Sequence, residues 1–117
     1  MSRIPETSAR YRKSIKRLKR RGVDLSPLNE IVNLLLSRNL TSDEIHMYRD
    51  HELTGGKYNG YRDIHIGGTK SDWVLIYKVT GNSVVLEDTK LYLFDTGTHR
   101  DLGIDDSVNI SDNLVFI

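Results

Sequence analysis

The run Trp73-Val74-Leu75-Ile76-Tyr77 constrains this chain more than any other stretch. Successive apolar side chains put hydrophobic groups on both faces of an extended strand, as a central, doubly covered strand requires. Upstream, Tyr61-Arg62-Asp63-Ile64-His65-Ile66 alternates. A strand there sends Tyr61, Asp63 and His65 to one face and Ile64 and Ile66 to the other, toward a core. Gly67-Gly68-Thr69-Lys70-Ser71 suits a hairpin loop, so strands over Tyr58 to Ile66 and Asp72 to Val79 are expected to pair antiparallel. The Asp63 and His65 face is expected to be exposed, where an acid beside an imidazole can serve acid–base chemistry or simply face water.

Nearer the N-terminus the period changes. Tyr11, Ile15 and Leu18 fall at helical spacing, so a helix is expected over Ser8 to Arg21 with Gly22 as its stop. Ser26 and Pro27 suit an N-cap and first turn, with Leu28, Ile31, Val32 and Leu35 as a buried stripe to about Arg38. Thr41-Ser42-Asp43-Glu44 fits a capping box and one short helical turn before Tyr48, with His46 on its surface. Gly81-Asn82 marks a turn. Val84 to Asp88 and Leu91 to Phe94 then give one bent strand or two short ones. Helices first and strands after imply an α+β fold, a helical hairpin packed on a small, mainly antiparallel, twisted sheet. A length of 117 residues suits a single domain over 1–117. A C-terminal extension at about 103–117 ends in Leu114-Val115-Phe116-Ile117, which either adds an edge strand or covers apolar surface.

The net charge of +1 hides an asymmetry. Between Met1 and Gly22 stand Arg3, Arg10, Arg12, Lys13, Lys16, Arg17, Lys19, Arg20 and Arg21 against Glu6, whereas acids dominate from Glu87 onward. A basic stripe of this density attracts polyanions, nucleic acid above all, unless it is only a solvated helix face. With no cysteine, disulfides, thiolate zinc sites and a cysteine nucleophile are excluded. No apolar run approaches the ~20 residues that span a bilayer. No secretory signal is expected at the polar, basic N-terminus, which makes the cytoplasm the expected compartment.

His51, His65 and His99 lie 14 and 34 residues apart, without the local pairs typical of zinc sites, so no metal and no cofactor is expected. P-loop, nucleophile-elbow and dinucleotide fingerprints are missing from the sequence. What remains is metal-free acid–base chemistry on a phosphodiester. RNA brings its own nucleophile, the 2′-OH, and a protein need only deprotonate it, steady the phosphate charge and protonate the leaving oxygen. Imidazoles suit the proton transfers, and arginine suits the phosphate. His51, Arg62, Asp63, His65, Asp72 and His99 supply these types.

Four blocks in order, DHEL from Asp50, GYRDIHI from Gly60, DWVLIYKV from Asp72 and TGTHRDL from Thr96, resemble the YafQ branch of the RelE-type toxins of bacterial toxin–antitoxin systems. The resemblance covers roughly Ala9 to Leu102. It implies a RelE-like fold and a toxin that enters the ribosomal A site and cuts mRNA there, through histidines and aspartates in place of RelE's lysine and arginine set. Carried over by motif, His51, His65, Asp72 and His99 are the catalytic candidates. His99 is implied as general acid, and Asp72, with His51 or His65, as base or proton relay. Asp63, Arg62 and Trp73 are implied near the substrate, and Lys13, Lys16, Arg17, Lys19 and Arg20 on ribosomal RNA. The implied partners are mRNA, the ribosome and a cognate antitoxin in a hetero-oligomer, its disordered segment wrapping the basic surface and the site; no membrane is involved.

Plainer readings stand beside these. Trp73 opens an apolar strand and suits a core, and Arg62 suits a structural ion pair as well as a phosphate clamp. The chain also departs from the family pattern. Asp95 stands where an arginine is usual before TG-[ST]-H, and an acid there would repel a phosphate. Gly103 stands where phenylalanine is common, with Ile104 or Phe116 as substitutes, and the segment from Lys78 to His99 is longer than usual. Two competing functions follow: a ParE-like inhibitor of DNA gyrase, and a catalytically impaired toxin fold that only binds RNA or antitoxin.

Overall fold

The structure is a computed structural model and describes residues 2–67, 71–81 and 85–104. Four helices, α1 (Ala9–Arg20), α2 (Ser26–Ser37), α3 (Ser42–Met47) and α4 (His99–Leu102), accompany five strands among these residues. The strands are β1 (Ile4–Thr7), β2 (His51–Glu52), β3 (Arg62–His65), β4 (Trp73–Thr80) and β5 (Lys90–Thr98). They form one sheet in the order β1-β5-β4-β3-β2, antiparallel except for the parallel β1–β5 edge. The expected α+β architecture is the one present.

The central strand explains the layering. Leu75 and Tyr77 face the helices, joining Ile64, Ile66 and Leu91 against Tyr11, Leu28 and Leu35. Val74 and Ile76 face the other way, into a smaller cluster with Leu53, Tyr58, Leu102 and Ile104. Val74, Leu75 and Ile76 are all 0% exposed, so each contributes on the order of 1.5–3 kcal/mol of burial to holding the two layers together. Among the described residues no helix is long and apolar enough to cross a membrane.

Local chemistry sets the helix ends. The Ser8 hydroxyl accepts from the Tyr11 amide at 2.9 Å, and Gly22 leaves α1 at φ 77. Thr41 and Glu44 form the expected capping box at α3. At α2 the cap is shifted by one position: Leu25 is the N-cap and Ser26 already helical, because the Asp24 carboxylate takes the Ser26 amide and hydroxyl at 3.0 and 2.8 Å. Arg3 is buried and donates from Nη1 to the carbonyls of Leu35 and Arg38 at the end of α2, satisfying groups a helix terminus leaves open.

The strand bounds depart from expectation. β1 and β2 have no counterpart among the expected strands, since Ile4–Thr7 has no buried alternate face and β2 is two residues long. Tyr58 is not in a strand; Gly56–Tyr58 is a 3-10 turn, and the Tyr58 hydroxyl donates to the Leu102 carbonyl at 2.8 Å. Leu86–Asp88 is likewise a 3-10 turn, and β5 runs unbroken past Phe94 to Thr98. The bend is a bulge: Ile76 pairs with Asp95 and Tyr77 with Leu93, so Phe94 is the extra residue. Parts of the expected loop and turn (68–70, Asn82, Val84) and the tail from 105, including Leu114–Ile117, lie outside the described residues.

Candidate active site

The site is built on the sheet face away from the long helices. Alternation turns Asp63 and His65 of β3 to that face, and sheet register puts His51 of β2 directly beside Asp63. At its far end β5 runs into α4, whose first residue is His99. Thr98 and Asp101 cap α4 reciprocally at 3.0 and 3.3 Å, and Gly103 closes it in the left-handed region. Gly97 lets α4 lie against the strand: a Cβ there would meet the Asp101 Cβ at 3.3 Å and a Leu102 methyl at 3.6 Å. Gly97→Val is therefore expected to displace α4, costing ~1–3 kcal/mol by overpacking and lowering activity further through His99. Urea midpoints and cleavage rates on the same preparation check both effects.

Asp63, fully buried, is the hub. His51 Nδ1 lies 3.0 Å from Asp63 Oδ1 and 2.9 Å from the Arg49 carbonyl. A proton on His51 Nδ1 is held by those two oxygens, which leaves Nε2 as the atom with a free lone pair. His99 Nε2 is 3.9 Å from the other Asp63 oxygen, while His99 Nδ1 is 2.7 Å from Asp72 Oδ1. His65 is buried beneath, its ring centroid 5.0 Å from that of His99. Exposure divides the group: side chains of Asp72 and His51 are 65% and 39% exposed, His99 only 13%. His51, Asp63, His65, Asp72 and His99 thus converge from β2, β3, the residue preceding β4, and α4.

The face is not exposed as expected. Asp63 and His65 lie beneath the side chains of α4 and the segment around Leu53 and Tyr58, which close over this half of the sheet. Asp63 consequently contacts imidazoles, not solvent. Arg62 and Trp73 stand on the helix-facing side. Arg62 Nε donates to Asp50 Oδ1 at 2.6 Å, and the Tyr77 hydroxyl donates to the other oxygen of that buried carboxylate. Burial, then the Asp50 charge, push the Tyr77 hydroxyl far above its ordinary pKa. Trp73 packs against the helix-side core and donates from Nε1 to Thr96 Oγ1 at 2.9 Å. Lys13, Lys16, Arg17, Lys19 and Arg20 are exposed along α1, and His46 is exposed on α3. Lys78 and Tyr92, not singled out in the sequence, lie on the site face in register with each other; β4 alternation marks Lys78, but Tyr92 depends on the bulge. Among the described residues no three His, Asp or Glu side chains are arranged to hold a metal ion.

The four sequence blocks therefore meet in one place, and comparison with known proteins agrees. The family described as the bacterial toxin of type II toxin–antitoxin system, YafQ, matches residues 3–104. The chain belongs to the YafQ family. The mRNA interferase toxin YafQ of Escherichia coli K12 is 37% identical over 98 residues, 83% of this chain and 91% of that protein. The crystal structure of YafQ from E. coli BL21(DE3) superposes with a TM-score of 0.67 at 32% identity, covering 86% of this chain and 97% of the other. YafQ in the E. coli DinJ–YafQ toxin–antitoxin complex gives 0.64 at 34% identity, covering 87% and 98%.

The departures from the YafQ pattern acquire physical reasons. Asp95 is 5% exposed; its Oδ1 accepts from the Ser14 hydroxyl of α1 at 2.5 Å and the Thr96 amide at 2.8 Å. Its charge is engaged by α1 instead of being presented to a phosphate. Asp95→Arg is expected to cost ~2 kcal/mol or more by removing a buried charged acceptor, a loss that denaturant unfolding will register, and not to raise activity. Gly103 is the left-handed residue ending α4, and Ile104 fills the cluster beside Leu102. Phe116 lies outside the described residues.

Proposed function

We propose that this chain is the toxin of a type II toxin–antitoxin pair and an endoribonuclease that inhibits translation by cutting mRNA in the ribosomal A site. The observation carrying this reading is the gathering of three imidazoles around one buried carboxylate, in a chain 37% identical to a curated mRNA interferase toxin. In the reaction His51 Nε2 takes the proton of the 2′-OH, and the 2′ oxygen attacks the adjacent phosphorus. As that bond forms, the P–O5′ bond breaks. The proton lying between His99 Nδ1 and Asp72 passes to the 5′ oxygen, leaving a 2′,3′-cyclic phosphate and a 5′-OH.

Exposure supports this division of labour. His51 and Asp72 reach solvent, whereas His65 is 1% exposed and acts by fixing the ring of His99. Asp63 fixes both reacting imidazoles. With Arg62 engaged by Asp50 on the other face, the imidazolium of His99 itself counters charge on the phosphate. The cations of α1 dock on ribosomal RNA, which makes the toxin's site of action the cytoplasm. E. coli YafQ is found in a complex with the antitoxin DinJ, and in this reading a cognate antitoxin of this chain covers the basic surface and the site.

The test is induced expression in a bacterial host, followed by primer extension on an abundant mRNA. In-frame cuts that disappear when translation initiation is blocked are the expected result. Growth arrest without cuts would replace this reading with gyrase inhibition. Harmless expression would replace it with an inactive binding module.

A further inference from the structure

The site face does not end at the histidines. The row adjoining Asp63 and Ile76 is aromatic and cationic. Lys78 and Tyr92 are paired by register, and Tyr61 flanks β3 on the same side. Lys78 Nζ lies 4.6 Å from the Tyr61 ring centroid and 6.0 Å from that of Tyr92. Phe94, thrown out by the bulge, stands 4.7 Å from Tyr61 and 6.2 Å from Tyr92, centroid to centroid. Arg10 reaches over from α1, its Cζ 5.7 Å from the Phe94 ring. Tyr61, Tyr92, Phe94 and Lys78 are all partly exposed, and Arg10 is exposed.

Tyr61 and Phe94 each turn part of their rings to the cluster of Leu53, Tyr58 and Ile76, but that packing does not call for Lys78, Tyr92 and Arg10 beside them. Aromatic rings interleaved with cations, half open to water, are what a protein uses to hold unpaired nucleobases while tracking a phosphate backbone. Glu6, in register with Tyr92, is paired by Lys90 at 3.4 Å, so the positive character of Arg10 and Lys78 is not cancelled there. Two strand residues advance about 7 Å, which sets Tyr61 one step along β3 from Asp63, the buried partner of the half-exposed His51. Lys78 lies six residues along β4 from Asp72, about 20 Å. An RNA strand whose phosphate lies at His99 and Asp72 would therefore reach these rings a few nucleotides away by following the sheet past His51.

We propose that Tyr61, Lys78, Tyr92 and Phe94, with Arg10, form a stacking platform for nucleobases of the mRNA that flank the scissile phosphate, a proposal resting on the endoribonuclease reading above. The platform would make cleavage sensitive to the presence of a base at a flanking position while the histidines remain indifferent to it.

The test uses single-turnover cleavage on ribosomes programmed with mRNA carrying one abasic nucleotide at each position around the cut in turn. In the wild type, one flanking position is expected to slow cleavage about tenfold when its base is removed. In Tyr92→Ala, cleavage of the unmodified mRNA is expected to fall by about the same factor, and removal of that base to have no further effect, as coupled groups behave. Tyr92→Phe keeps the ring and is expected to keep the wild-type sensitivity, which separates stacking from damage to the fold. An equal abasic penalty in wild type and Tyr92→Ala overturns the platform. So does a variant that cuts normally but has lost antitoxin binding, which would make the row a protein-docking surface. If the wild type fails to cut unmodified mRNA on the ribosome, the endoribonuclease reading itself fails and takes the platform with it.

Discussion

Replacing His99 with glutamine is expected to slow mRNA cleavage on programmed ribosomes by about 10²- to 10⁴-fold, the usual worth of a positioned acid or base, with thermal unfolding close to wild type. His99 is where the cluster's surface and interior meet. Its Nδ1 shares a proton with the exposed Asp72, and its Nε2 looks inward to Asp63. Glutamine preserves much of the shape but can neither accept nor release the proton at neutral pH. The complementary variant is His51→Gln, which removes the proposed base and is expected to slow cleavage by a similar factor. A His99→Gln protein cutting at the wild-type rate would show that the chemistry lies elsewhere.

Asp50→Ala is expected to be the most damaging single change to stability. The Asp50 side chain is 1% exposed and binds Arg62 through one oxygen and the Tyr77 hydroxyl through the other. Removing it strands a partly buried guanidinium and a buried hydroxyl together, a loss on the order of 3–5 kcal/mol. Against a total stability of roughly 5–15 kcal/mol that is a large fraction. Calorimetry should show a midpoint lower by about 10–20 °C for a domain of this size. Tyr77→Phe, which leaves the ion pair intact, should lose only ~1–2 kcal/mol. Equal losses in the two variants would mean that the ion pair contributes little.

The parts of the molecule legible in the sequence are those where pattern and burial coincide. Ile64 and Ile66 predicted the core-facing side of β3, and Trp73–Tyr77 predicted a central strand, because each residue there has a face to fill. The helices were readable from Tyr11, Ile15 and Leu18 and from Leu28, Ile31 and Leu35 for the same reason. β1 and β2 were not, since edge strands this short are held by main-chain hydrogen bonds, which composition does not mark. The site was half legible. Residue type alone offers His51, Arg62, Asp63, His65, Asp72 and His99 without separating them, and only the resemblance to the YafQ branch singles out the histidines and Asp72. The inward role of Asp63 depends on α4 folding over the sheet, and that depends on Gly97. Arg62 and Trp73 fall in the same motif blocks as the histidines, yet alternation sends them to the opposite face. Adjacency in a motif does not distinguish a place in the imidazole cluster from a place in the core.

The parallel edge has a consequence for the time at which this protein becomes dangerous. Ile4 pairs with Lys90, 86 positions later, and the main chains of Ser8 and Leu93 are hydrogen-bonded. Sequence-distant pairings of this kind close late, after the entropy of a long loop has been overcome. His99 follows on the same last strand. A growing chain that has not yet released β5 from the ribosome exit tunnel has neither its sheet edge nor His99 in place. The sheet edge can close only after β5 has emerged, and the interval between its release and closure of β1 on β5 is one in which an antitoxin can meet the chain before it is fully formed.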